Sequence, residues 1–99
     1  MNVAEVTREE LARHVDDVFE VSAGEAIAFE AHLVEVSPMG STVGPTGRSP
    51  FSAVLRGPAN EAPEQAIYQV RHPELGSFEL FLVPIGPDDE GMKYEAVFT

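Results

Sequence analysis

The stretch Ser77-Phe78-Glu79-Leu80-Phe81-Leu82-Val83-Pro84-Ile85 decides how this chain is read. In an extended backbone successive side chains point to opposite faces, so Phe78, Leu80, Leu82 and Pro84 share one side and Phe81, Val83 and Ile85 the other. A strand with an apolar set on each side has no fully wetted face, and both sides are expected to be covered. The first cover for Phe81, Val83 and Ile85 is the helix predicted near the N-terminus, through Leu11 and Val15. The second is an oligomer or partner interface formed by those three residues themselves.

The neighbouring segments extend this strand into a sheet. On its N-terminal side, His72-Pro73-Glu74-Leu75-Gly76 places proline where a turn wants φ near −65° and glycine where it wants φ positive, which predicts a hairpin with Ala66 to His72. On its C-terminal side, Gly86 to Gly91 reads as a turn into a last strand, Met92 to Phe98, with Met92, Tyr94, Ala96 and Phe98 on one face. Earlier runs of period two lie at Val18 to Ser22, at Ile27 to Val36 with Ile27, Phe29, Ala31 and Leu33 on one face, and at Phe51 to Arg56 before Gly57-Pro58. Ser37 to Pro50, rich in Gly, Pro, Ser and Thr, reads as a long loop and the mobile part of the molecule, with Met39, Gly40, Gly44, Gly47 and Arg48 as its candidate residues.

The one good helix signal is a capping box: Thr7 can accept from the N–H of Glu10, and Glu10 can reach back to Thr7. Val6 and Leu11 are spaced as a hydrophobic staple, and the helix is expected over about Arg8 to His14. The fold class is therefore mainly β, a single domain over residues 1–99. Its architecture is expected to be a six-stranded antiparallel meander curled into a barrel or a two-layer sandwich, with one short N-terminal helix.

Seventeen acidic residues against six basic ones give a net charge of −11, which disfavours nucleic acid and anionic membrane surfaces as partners. Without cysteine there are no disulfides, thiolate metal sites or cysteine nucleophile. No apolar run opens the chain, so neither a signal peptide nor a spanning helix is expected and the default location is cytoplasmic.

No catalytic constellation is recognisable and no cofactor is expected. His14, His32 and His72 lie in different elements, without the spacing that brings two ligands to one helix face, and read as surface or hydrogen-bonding residues rather than metal ligands. Asp88-Asp89-Glu90 lacks the alternating ligands of a calcium loop and reads as a solvated hairpin, while Asp16-Asp17 reads as a helix terminator. The serines lack a nucleophile-elbow context. Arg56 and Arg71, at strand ends, are expected to form cross-strand ion pairs, with anion binding as the minor reading. An enzyme would need a histidine and carboxylates brought together in a cleft by the fold.

Taken together, Pro50-Phe51-Ser52, Arg56-Gly57-Pro58, Tyr68, His72-Pro73-Glu74-Leu75-Gly76, Glu79 to Pro84 and Tyr94-Glu95-Ala96-Val97-Phe98 resemble an uncharacterised bacterial family of domains of about this length. The resemblance covers nearly the whole chain. It implies an accessory or assembly role near proteins similar to phage tail collars. The leading reading is a non-enzymatic structural or interaction module that acts through a protein partner or as a homo-oligomer. The alternative is a small-ligand binding barrel, with Phe29, Phe51, Tyr68, Phe78 and Tyr94 facing inward and the long loop as its lid.

Overall fold

Thr7 starts the helix as its sequence predicts: its hydroxyl accepts from the Glu10 N–H at 3.0 Å, and α1 runs Arg8–Ala12. The helix stops short of His14 because the backbone tightens into bonds three residues back, from Arg13 N–H to Glu10 and from His14 N–H to Leu11. Asp16 then takes a left-handed φ of 78°. The chain is drawn out of the helix onto a strand, with Asp16 N–H donating to the Leu33 carbonyl at 2.7 Å and Leu33 N–H to that of Asp17 at 3.1 Å. This computed structural model describes residues 6–24, 27–40, 49–59 and 64–98.

The strands are β1 (Val18–Ala23), β2 (Ile27–Pro38), β3 (Phe51–Gly57), β4 (Ala66–His72), β5 (Gly76–Asp88) and β6 (Gly91–Phe98). All pair antiparallel and close a barrel in the order β1-β2-β3-β6-β5-β4. The expected meander is corrected here: β4 pairs with β1 and β6 with β3, so β3 and β4 are not neighbours. The first four strands form a Greek key, which closes the ring through the short seam Glu20–Ser22 against Gln69–Arg71.

The expected turn at Gly86 is also corrected, since β5 continues to Asp88. Gly86, at φ 123°, sits where the β5–β6 register shifts past Pro84, and this bulge lets the ladder resume with Pro87 opposite Met92. Pro84 and Pro87 are tolerated because β4 pairs with β5 only as far as Leu82, so beyond it one side of β5 needs no backbone donor.

One core fills the ring. Phe19 and Val21, Ala31 and Leu33, Tyr68 and Val70, Phe78, Leu80 and Leu82, and Met92, Tyr94, Ala96 and Phe98 are all buried in it. The strands stop at two ends. At the helix end lie the starts of β1, β3 and β5, the stacked rings of Phe51 and Phe98, and α1, whose Leu11 reaches in among Phe19, Phe78, Leu80 and Phe98. Val6 is fully buried, as the staple predicts, and Val15 packs against the same core. At the opposite, turn end, Phe29 stacks on Tyr94 at 5.6 Å between ring centroids, and Tyr68 stands edge-on to both. There Gly57 leaves room for the Phe29 ring, and Gly91 lets β6 press against the Gly57 carbonyl.

Candidate functional site

The helix does not cover the outer side of β5. Leu11 and Val15 are spent on the barrel interior at one end, so the first of the two covers is overturned. Phe81 is 53% exposed, Ile85 46%, and Val83 half-buried; Phe81 pairs with β4, Val83 with β6, and Ile85 is the extra residue of the bulge. Ile67 of β4 stands directly opposite Phe81 and is 63% exposed. On the other side, the register of Val83 with Glu95 brings Val97 of β6, 49% exposed, to the level of Phe81. Ile67, Phe81 and Val97 thus form an apolar row across three adjacent strands, which Val83 and Ile85 continue along β5. The sequence picks out the β5 members; Ile67 and Val97 are missed because single apolar residues on short alternating strands acquire meaning only once the register is known.

A second cluster gathers where α1, β1 and the β4–β5 turn meet. One Asp17 oxygen lies 2.9 Å from His14 Nδ1 and 2.9 Å from His72 Nε2, and the two histidine rings meet edge-on at 4.6 Å between centroids. His72 is only 5% exposed and leans on Phe19. Its other nitrogen, Nδ1, accepts the backbone N–H groups of Glu74 at 3.0 Å and Leu75 at 3.3 Å, so the Pro73-Glu74 turn folds over the ring. Those two donors require a lone pair on Nδ1, so the proton of neutral His72 sits on Nε2 and is donated to Asp17. The bonds from His14 first, and His72 second, hold the Asp17 carboxyl below its ordinary value.

His14, Asp17 and His72 have the separations of a metal-ligand set, their donor atoms lying within 4.8 Å of one another. The hydrogen bonding does not fit a metal, however. A metal on His72 Nε2 would force the ring proton onto Nδ1, against two backbone N–H groups. Nor does the groove beside the cluster, lined by Glu10, Arg13, His14, Asp17, Glu74 and Leu75, contain a serine, threonine or cysteine to act as nucleophile. What the arrangement does is join the helix end of β1 to the β4–β5 hairpin. Of the two roles expected for the histidines, His72 takes the hydrogen-bonding one, in a buried position, and Asp17 does more than end the helix. Fifty-five residues separate Asp17 from His72, and no local spacing could have announced their contact.

Arg56 and Arg71 form the expected cross-strand pairs. Arg56 donates through Nε to Asp88 at 2.9 Å and its Nη1 lies 3.2 Å from Glu90, while Arg71 lies 3.7 Å from Glu20. Asp88 holds the Arg56 guanidinium charged, and Arg56 in turn lowers the Asp88 carboxyl. Both guanidiniums are thus engaged by the chain's own carboxylates. Of the candidate loop, exposed Met39 donates its N–H to the Pro50 carbonyl at 3.0 Å and Gly40 follows it with φ 152°; Gly44, Gly47 and Arg48 lie outside the described residues. The space left among Leu11, Phe19, Leu33, Val70, Phe78 and Phe98 is about 10 Å³, at the lower limit for one water and far below a small ligand. Among the described residues no helix is long and apolar enough to cross a membrane.

The family described as "Domain of unknown function (DUF6916)" matches residues 6–98, and the chain belongs to it. No curated protein and no solved structure matches the chain.

Proposed function

We propose that this DUF6916 domain is a non-catalytic interaction module, a rigid barrel that offers the outer face of β4, β5 and β6 to another protein or to copies of itself. The observation that carries this reading is the row Ile67, Phe81 and Val97, exposed side by side on three paired strands. Large apolar side chains scattered singly are ordinary on a surface; a contiguous set is the usual mark of a docking site. The filled interior supports the same reading, since it leaves the outside of the barrel as the working surface. We place the module, as the family resemblance implies, as an accessory of a tail-like assembly.

Phe81→Asp tests the face. The side chain is half exposed in the free domain, so unfolding stability should fall by about 1 kcal/mol in urea titration, from strand propensity and the Ile67 contact, and the fold should be kept. Self-association in analytical ultracentrifugation, or recovery of particle proteins with the tagged native chain, should be lost. A parent that is monomeric at every concentration, and that recovers the same proteins as Phe81→Asp, contradicts the proposal.

A further inference from the structure

We propose that the β4–β5–β6 face takes a protein surface with an apolar centre and a rim of lysine and arginine, an inference that rests on the interaction-module reading. The backbone limits how docking can occur. The ring is closed, and where β5 outruns β4 the prolines Pro84 and Pro87 remove backbone donors, so an added strand finds a poor edge. Recognition therefore runs through side chains. Phe81 stands at the middle of the row as the aromatic anchor, with Ile67 and Val97 on either side.

The rim supplies the sign of the partner. Glu79 precedes Phe81 by two residues on the same side of β5 and is exposed; Glu95 precedes Val97 by two on the same side of β6 and stands opposite Val83. Where a described carboxylate has a cation within reach it takes it, as Glu20 does with Arg71, Asp88 and Glu90 with Arg56, and Asp17 with two histidines. Glu79 and Glu95 have neither an ion pair nor a side-chain hydrogen bond among the described residues. On the outer side of these three strands the cations are Arg71, which Glu20 engages, and Lys93 beyond Glu95.

A second copy of the chain would set its own Glu79 and Glu95 against this rim and bring one charge of −11 up to another, which like-charge repulsion opposes. A cationic rim would instead pair both carboxylates while Phe81, Ile67 and Val97 lose their water. Such contacts act on approach as well as on affinity, so binding should weaken with salt.

The test uses the full chain, isotope-labelled, and two short peptides of equal length, one alternating lysine with leucine and its twin alternating glutamine with leucine. The lysine peptide should shift the amide resonances around Ile67, Phe81 and Val97, bind at least about tenfold more tightly than its twin, and lose about tenfold in the Glu79→Lys/Glu95→Lys double variant. Phe81→Ala, with the fold kept, should weaken both peptides. Equal binding of the two peptides at this face, or a self-dimer that Phe81→Asp dissociates, overturns the cationic partner and keeps the docking face. Shifts confined to other parts of the barrel, from a chain that stays monomeric, overturn both.

Discussion

The two ends of the barrel are closed by different means. At the helix end the plug comes from outside the ring: Leu11 of α1 enters the core, and Asp17 with its two histidines ties the entering chain to the β4–β5 turn. At the turn end the ring closes on itself, with Phe29, Tyr68 and Tyr94 packed ring against ring and Gly91 drawn against Gly57. An end sealed by a separate element can be loosened while the strands stay paired; an end sealed by the strands' own side chains cannot. Each end also has a carboxylate clasp, Asp17 held by histidines in one case and Asp88 by arginine in the other.

The largest expected effect breaks the helix-end plug. Leu11→Ala removes a side chain buried to 3% exposure and should cost about 2–5 kcal/mol in urea unfolding, with β-sheet circular dichroism preserved at low denaturant. A cost near zero would show that the helix does not seal the barrel. Next comes the turn end. Gly91 has φ 152°, and a Cβ there would stand 2.1 Å from the Gly57 carbonyl oxygen, so Gly91→Ala must displace β3 from β6 and should cost about 1–3 kcal/mol in the same titration. Here the loss should appear in sheet amides as faster hydrogen exchange, whereas in Leu11→Ala it should begin in α1.

The clasps give a smaller effect, sharpened by pH. Asp17 and Asp88 are each held below the ordinary carboxyl value of 3.8, chiefly by His14 and by Arg56 respectively. A folded-state value below the unfolded one means the native chain takes up its proton later on acidification. The stabilisation is thus complete above about pH 3.8 and is lost as pH falls through the lowered values. Asp17→Asn and Asp88→Asn should both be less stable than the parent near neutrality, with the deficit shrinking in acid; a deficit constant across that range rules out the clasp. The finest test leaves stability untouched: nitrogen NMR of His72 should report the proton on Nε2, and a proton on Nδ1 would contradict the bonds from Glu74 and Leu75.

The sequence makes one kind of structure plain. Alternation along Ser77 to Ile85 and Met92 to Phe98 assigns residues to the two faces, because a period of two survives any arrangement of neighbours, but it does not reveal that the Phe81 face is left open to water. Thr7 with Glu10, and the turn from His72 to Gly76, are likewise local, each settled within a few residues. The order of the strands is not local. Nothing in β3 or β6 names the other as partner, and Gly86-Pro87 imitates a turn because a bulge and a turn need the same glycine. The candidate face is half legible for the same reason: Phe81, Val83 and Ile85 stand out on one strand, while Ile67, Val97, Glu79 and Glu95 join them only through register.

Val6, buried beside α1, and Phe98, at the close of β6, both belong to the helix end. Anything spliced to either terminus of the described chain therefore attaches at a single pole, as a stalk holds a bulb. The apolar row starts beside that pole, at Val97 next to Phe98, and leads away from it across Phe81 to Ile67.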